Sequence, residues 1–302
     1  MESKKIRIPY FPGCTLKTTA NHFEISAMES AKQIGIEMVE LPRWNCCGVV
    51  HSLTSDDLMK QAAPVRDLIR VQDMNKEGLV DDEYRLLTLC SMCFNTLKRT
   101  NQRVNDNAED LKSLNNFMYL EDDYDGKVEV IHFFELLAEM GFDKVYEKVV
   151  KPLTGMKIAP YYGCTLLRPK EVGIDKPENP TIIENFIKSL GGEPVDWSAK
   201  SRCCGSYHTV NQKQIVVNQT HAIIENARKY GAETIITSCP LCAFNLDDRQ
   251  KEVMEKDPNF KPMPIFYFSQ LMALAFGLEE KYMGLDGNYI DPRPFLKEKK
   301  FL

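Results

Sequence analysis

The 302-residue sequence predicts an α/β protein made of two tandem, pseudo-symmetric copies of one unit, each a small, mostly parallel sheet flanked by helices. Three observations predict it. Short apolar runs alternate with amphipathic stretches through both halves, the pattern of parallel strands joined by helical crossovers. Segments recur: "PYFPGCTL" at 9–16 returns as "PYYGCTL" at 160–166, and "TLCSMCFNTL" at 88–97 as "TSCPLCAFNL" at 237–246. The ten cysteines divide evenly, each half carrying a single cysteine, an adjacent pair followed by glycine, and a C-x-x-C. Such self-similarity marks a duplicated unit. The join falls near 148–157, which gives units 1–150 and 151–302.

The first copy opens with an apolar strand, Ile6 to Phe11. His22 to Ile34 has apolar residues at helical spacing, and Ile36 to Leu41 alternates as a strand does. Asp56 to Gln72 reads as an amphipathic helix with Ser55 as its N-cap. Arg85 to Leu89 is a strand, a helix begins near Phe94, Val128 to Phe133 is a strand, and Glu135 to Met140 a helix. In the second copy Met156–Tyr161, Glu193–Val195, Thr234–Thr237 and Pro264–Phe268 read as strands, and Ile182–Leu190 and Gln212–Tyr230 as helices. Forty-two residues separate Cys47 from Cys90 against thirty-four between Cys204 and Cys239, and the excess is assigned to a loop around "DMNKEGLVDDEYR".

In a parallel sheet every strand ends on the same edge, where open α/β sheets carry ligands. Cys14 follows the first strand, Cys46 and Cys47 the second, and Cys90 and Cys93 the third, so five sulfurs converge there. Cys164, Cys203, Cys204, Cys239 and Cys242 repeat the arrangement.

Composition narrows the function. A net charge of −5 without a dense Lys/Arg stripe gives no sign of nucleic-acid binding. The N-terminus "MESKKIRIPYFPG" lacks an apolar signal core, and the most apolar stretch, Ile265 to Leu278, is too short to span a bilayer. A soluble cytoplasmic protein is expected, in which ten cysteines point to metal or redox chemistry more than to structural disulfides.

Several chemistries use such thiols. Isolated cysteines serve as small buried hydrophobes, but ten in a duplicated pattern do not fit that role. Zinc takes four ligands in a closed tetrahedron, which an adjacent pair and a fifth cysteine suit poorly. A dithiol–disulfide relay is open to C-x-x-C. Iron–sulfur clusters fit best, because thiolates are their ligands, and a fifth thiolate suggests an expanded or open cluster. Gly48 and Gly205 are read as letting the backbone pass close to a bulky inorganic group.

On these motifs, C-x31-C-C-G with C-x-x-C at 14–93 and C-x38-C-C-G-x33-C-x-x-C at 164–242, the sequence resembles the duplicated cysteine-rich CCG domains of the heterodisulfide reductase B subunit. The resemblance covers nearly the whole chain. It implies two noncubane [4Fe-4S] clusters, one held by Cys14, Cys46, Cys47, Cys90 and Cys93, the other by Cys164, Cys203, Cys204, Cys239 and Cys242. It implies a small disulfide substrate between them, CoM-S-S-CoB in the methanogen enzyme, cleaved to two thiols. It also implies two partner subunits, one ferredoxin-like and one FAD-containing, linked to hydrogenase or formate dehydrogenase modules in an electron-bifurcating complex. The same domain occurs in electron-transfer subunits serving other oxidoreductases, which is the alternative reading.

Product thiols need protons. His51 and His208 each lie four residues after a CCG's second cysteine and are the candidate donors. His132 and His221 are read as structural or solvent-facing. An anionic disulfide would want basic groups, and Lys17, Arg43, Arg168, Lys200 and Arg202 flank the cysteine motifs. Trp44 and Trp197 each precede a CCG, as shields or as core. No G-x-G-x-x-G occurs, so electrons are expected from a partner rather than from a nucleotide on this chain.

Overall fold

The computed structural model describes residues 5–49, 57–82 and 84–302. Strands β1 (Ile6–Phe11), β2 (Ile36–Glu40), β3 (Arg85–Thr88) and β4 (Glu129–His132) form a four-stranded sheet in the order β2-β1-β3-β4. Strands β5 (Lys157–Pro160), β6 (Glu193–Pro194), β7 (Thr234–Thr237) and β8 (Ile265–Tyr267) repeat it as β6-β5-β7-β8. Every pairing is parallel, with Ile6 opposite Ile36, Tyr10 opposite Leu87 and Arg85 opposite Glu129. The central strands read as apolar runs because helices cover both faces.

The first-half helices are α1 (Gly13–Leu16), α2 (Asn21–Gln33), α3 (Ala62–Lys76), α4 (Ser91–Asp106), α5 (Ala108–Phe117), α6 (Phe133–Met140) and α7 (Phe142–Tyr146). The second half has α8 (Ile182–Ser189), α9 (Lys213–Lys229), α10 (Pro240–Asp247), α11 (Gln250–Lys256), α12 (Phe268–Ala275), α13 (Glu280–Met283) and α14 (Arg293–Glu298).

Three boundaries differ from the sequence reading. The helix expected over Asp56–Gln72 is a short 3-10 turn, Leu58–Gln61, followed by α3 from Ala62 to Lys76. Pro64 explains the shift, since it has no N–H to give an α-helix already running; starting at Ala62 puts it in the first turn, where that N–H has no partner anyway. Asp57 caps the 3-10 turn by accepting the Met59 N–H, and the expected cap Ser55 lies outside the described residues. Helix α4 starts at Ser91, not near Phe94, so Cys93 sits in its first turn and Cys90 at its N-cap. Because α3 runs to Lys76, the loop assigned to the extra residues begins only at Glu77, and more of the excess lies between Gly48 and Ala62.

The halves are tied through their last helices. Phe268 opens α12 and packs against Phe133 and Phe134 of α6 at centroid distances of 5.4 and 4.5 Å, Phe186 of α8 at 5.8 Å and Phe23 of α2 at 5.4 Å. Tyr267 stacks on Phe23 at 4.1 Å, and the Ser26 and Ser269 hydroxyls meet at 2.6 Å. Phe268 and Phe133 occupy equivalent positions of the repeat, so the aromatic cluster marks the pseudo-two-fold axis. His132 and Tyr267, also equivalent, cap α6 and α12, their N–H groups donating to Glu135 and Gln270 at 2.8 and 2.9 Å.

Candidate metal centre

The order β2-β1-β3-β4 reverses direction between β1 and β3, and that reversal opens the crevice where such sheets bind ligands. Cys14 lies just past β1, Cys46 and Cys47 in the loop after β2, and Cys90 and Cys93 at the start of the helix after β3. Cys164, Cys203, Cys204, Cys239 and Cys242 take the same places around β5, β6 and β7.

In each set the sulfurs gather as an outer and an inner pair. Cys14 and Cys46 are 3.8 Å apart and exposed; Cys47 and Cys93 are 3.5 Å apart and buried. Cys164 and Cys203 stand 3.7 Å apart and half-buried, and Cys204 and Cys242 3.4 Å apart and buried. The fifth cysteines, Cys90 and Cys239, are N-caps of α4 and α10 and contact one another, so the two sets adjoin. Beside that contact the Ser91 and Ser238 hydroxyls meet at 2.8 Å. The thiols share protons unequally: Cys239 and then Cys93 hold Cys90 well below the ordinary thiol range, while Cys46 and then Cys93 hold Cys47 down to about 5.

Four glycines at positive φ flank the cysteines. Gly48 and Gly205 have φ of 78° and 83°, which suits glycine, yet a Cβ on Gly48 would meet only the Lys60 carbonyl at 3.9 Å and one on Gly205 nothing nearer than 3.6 Å. Close approach belongs to Gly13 and Gly163, also at positive φ. A Cβ there would stand 3.0 Å from Cys93 Sγ and 3.3 Å from Cys242 Sγ. Two other groups shape the sites. Asn245 donates to Cys204 Sγ at 3.4 Å and accepts from the Thr209 hydroxyl at 2.9 Å. Asp67 accepts the Asn45 N–H at 2.9 Å and so pins the chain just before Cys46; burial pushes its carboxyl up to about 8.

This donor set fits a polynuclear iron–sulfur group. Its side chains are all soft thiols, gathered in two sets of five. Glycine at 13 and 163 keeps a side chain off the Sγ of Cys93 and of Cys242, one sulfur of each inner pair.

The surroundings of the two sets are not alike. A cleft of about 230 Å³ opens on the first, bounded on one side by Cys14, Cys47, Cys90 and Cys93 and on the other by the second half, with Leu241, Phe244, Ile265, Tyr267 and Tyr289 among its walls. One pair of equivalent residues differs in what it touches. Asn95 of α4 reaches across the halves and donates to the carbonyls of Thr165 and Arg168 at 2.7 and 2.8 Å, drawing the loop after Cys164 against α4. Its counterpart in α10 is Phe244, which has no such donor and lines the cleft instead.

The CCG cysteine-rich domain family matches residues 8–98 and 158–247. The chain belongs to that family. The two matched segments hold all ten cysteines and the strands that carry them, and end before β4 and β8. Over 93% of this chain and 96% of the relative, it is 32% identical to the 8-methylmenaquinol:fumarate reductase membrane anchor subunit of Wolinella succinogenes. It is 27% identical, over 96% of both chains, to the B subunit of the ferredoxin/F(420)H(2)-dependent CoB-CoM heterodisulfide reductase of Methanosarcina acetivorans. The fold matches that of a hypothetical protein from Helicobacter pylori with a TM-score of 0.73 at 13% identity, over 95% of this chain and 52% of the other. Among the described residues no helix is long and apolar enough to cross a membrane.

The CCG units gather all ten cysteines singled out in the sequence. Of the two histidines, His51 lies outside the described residues, and His208 is exposed on the 3-10 turn Ser206–His208, away from the cleft lining. The basic residues expected around an anionic substrate are engaged elsewhere or turned to solvent. Lys17 pairs with Glu24 and Glu40 at 2.8 and 2.6 Å, Arg43 with Asp73 at 3.4 Å, and Lys200 with Glu184 at 2.9 Å. Arg168 donates to the Ser201 carbonyl at 3.3 Å, and Arg202 is exposed. None of the five lines the cleft. Trp44 and Trp197 pack edgewise or tilted on Phe11 and Tyr161, behind the cysteines. Sequence reasoning missed His22 and Asp247, which do line the cleft, because neither lies in a cysteine motif.

Proposed function

We propose that the chain is the iron–sulfur subunit of a reductase complex and that its substrate binds in the cleft on the first cysteine set. Cys14, Cys46, Cys47, Cys90 and Cys93 would hold one four-iron cluster and Cys164, Cys203, Cys204, Cys239 and Cys242 another, of the noncubane kind that the heterodisulfide reductase resemblance implies. When bound, such clusters supply one-electron transfer. The protein's own part is to shape the ligand cradle through Gly13 and Gly163, to tune one thiolate through the Asn245 amide, and to exclude water with the aromatic walls of the cleft.

The observation that carries the reading is the chemistry of those walls. Among the described residues the lining contains no lysine or arginine, and its one carboxylate is Asp247. Aromatic and aliphatic walls without a cation suit an uncharged, apolar two-electron carrier. They offer no partner to the anionic ends of CoM-S-S-CoB. We therefore favour a quinol, the class named for the Wolinella succinogenes relative, whose electrons this protein passes to a partner reductase. The protein would then work at the cytoplasmic side of a membrane that its partners or its own surface reach.

The second reading is disulfide reduction at the same cleft. It is favoured by two complete five-cysteine sets and by the full-length likeness to the heterodisulfide reductase of Methanosarcina acetivorans. An uncharged disulfide would fit the walls. That reading brings the ferredoxin-like and FAD-containing partners and the hydrogenase or formate dehydrogenase modules, with His51 and His208 as proton donors.

Two assays on the anaerobically purified complex separate the readings. The first follows oxidation of a menaquinol analogue with a dye acceptor, the second reduction of CoM-S-S-CoB and of an uncharged disulfide with reduced viologen. Quinol turnover without turnover of CoM-S-S-CoB is expected. Disulfide turnover with no quinol turnover contradicts the favoured reading and establishes the second.

A further inference from the structure

A quinol loses two protons with its two electrons, and a disulfide gains two, so either substrate needs a proton-exchanging group in the cleft. The sequence candidates do not supply one there: His208 is exposed and absent from the lining. Two residues outside the cysteine motifs face the cavity. Asp247 ends α10, and His22 lies in the first turn of α2.

Asp247 is only 4% exposed, and among the described residues no cation pairs with it. Its carboxylate oxygens accept the N–H groups of Tyr289 at 2.7 Å and Ile290 at 3.0 Å. Those donors favour the ionised form, but burial outweighs them, and the neighbouring Asp248 acts in the same direction as burial; the carboxyl is pushed up to about 7. His22 packs against Tyr267 at a centroid distance of 5.2 Å and so closely on the 284–287 turn that a Cβ on Gly287 would collide with its ring. Burial holds its pKa down to about 4, so it stays neutral. Of the remaining titratable groups, Tyr267 and Tyr289 line the cleft with the cysteines, Asp248 and Arg249 lie on the turn beyond α10, and Lys251 is in the first turn of α11.

We propose that Asp247 is the proton-exchange residue of this cleft. The inference rests on the cleft being the substrate site, and it holds for either substrate class. For a quinol, each O–H bond breaks in turn: the proton passes to the Asp247 carboxylate, the electron leaves through the first cysteine site to the partner reductase, and Asp247 releases the proton to water at the cleft mouth before the second O–H bond breaks. A carboxyl titrating near neutral pH suits both halves of that exchange. His22, neutral throughout, orients the substrate oxygen as a hydrogen-bond partner.

The test is Asp247→Asn in the intact complex, with kcat for the menaquinol analogue measured from pH 5.5 to 9. Wild-type kcat is expected to rise with pH through about 7 as the carboxylate forms. In D247N that limb disappears and kcat falls by about 10²-fold with little change in KM. D247E, which keeps both acceptor oxygens, retains the limb. Independently of activity, difference infrared spectra of the wild type should contain a carboxyl band titrating near 7 that D247N lacks. The stability of the complex should follow the same carboxyl: a carboxyl raised from 3.8 to about 7 contributes stability that is fully present below 3.8 and lost as pH rises through 7, and D247N lacks that pH dependence.

A D247N enzyme with the wild-type limb and rate overturns the proposal and leaves Asp247 as the anchor of Tyr289 and Ile290. If D247N fails to assemble, D247E decides: a D247E enzyme without the limb or the band overturns the proposal equally. Ala243→Trp separates this failure from that of the cleft reading. Trp at 243 fills the lining, and full quinol turnover in A243W with unchanged iron content shows that the substrate binds elsewhere.

Discussion

Cys47→Ala is expected to lower bound iron from about eight to about four atoms per chain and to abolish turnover at the cleft. Cys47 is 1% exposed and its sulfur lies 3.5 Å from Cys93, so it belongs to the inner pair that a cluster could not release without losing its grip on α4. Removing one sulfur from a buried site leaves a void of atomic size, so the fold should survive. Cys204→Ala, at the equivalent place with Cys242 3.4 Å away, is expected to remove the other four. The two variants differ in one respect. C47A strips the set that faces the cleft, whereas C204A leaves that set intact, so C204A should still bind the quinol analogue while failing to pass electrons onward. Iron and sulfide analysis beside ligand-binding titrations checks this. Unchanged iron in both variants would mean that the inner pairs are not ligands.

The second large effect is on stability. Phe268→Ala is expected to destabilise the protein by about 3–5 kcal/mol, the range for truncating a buried aromatic. Phe268 is fully buried and touches four rings from three other helices: Phe23 of α2, Phe133 and Phe134 of α6, and Phe186 of α8. Three of those four rings lie in the first half, so the truncation loosens the contact between the two halves as well as the core. That contact sets where Phe244 and Tyr267 stand relative to the first cysteine set, so substrate affinity should fall even at temperatures where the protein remains folded. Denaturant unfolding gives the stability, and KM for the quinol analogue against kcat gives the second effect. A loss under 1 kcal/mol would mean that the aromatic cluster does not hold the halves together.

Much of this arrangement was legible in the sequence because the duplication repeats each signal. The apolar runs at 6–11 and 157–160, the paired "GCTL" segments and the two C-x-x-C motifs each give the same strand-then-loop reading twice, and the parallel topology then brings the sulfurs to one edge. What escaped is what the two copies do differently. The sequence aligns Asn95 with Phe244 but cannot say that Asn95 finds the carbonyls of Thr165 and Arg168 across the interface while Phe244 finds none. The cleft that Phe244 lines opens on the first set. His22 and Asp247 escaped for a related reason, since each reaches the cleft through packing between halves rather than through a motif. Beyond α13 the chain runs on where the first half passes into β5, and its Asn288 and Tyr289 complete the cleft, held by Gln270 and Asp247. The start of α3 was misplaced because the amphipathic pattern runs on through Pro64, whose missing N–H moves the α-helical start to Ala62. The sulfur contacts at Gly13 and Gly163 escaped notice because the CCG motif drew attention to Gly48 and Gly205.

The central claim is that both cysteine sets hold iron–sulfur clusters. The most direct measurement is iron, acid-labile sulfide and zinc on protein purified without oxygen. About eight irons and a matching amount of sulfide per chain are expected, with zinc below stoichiometry. One or two zincs per chain with no sulfide would contradict the claim and leave a structural zinc protein in which the cleft has no redox neighbour.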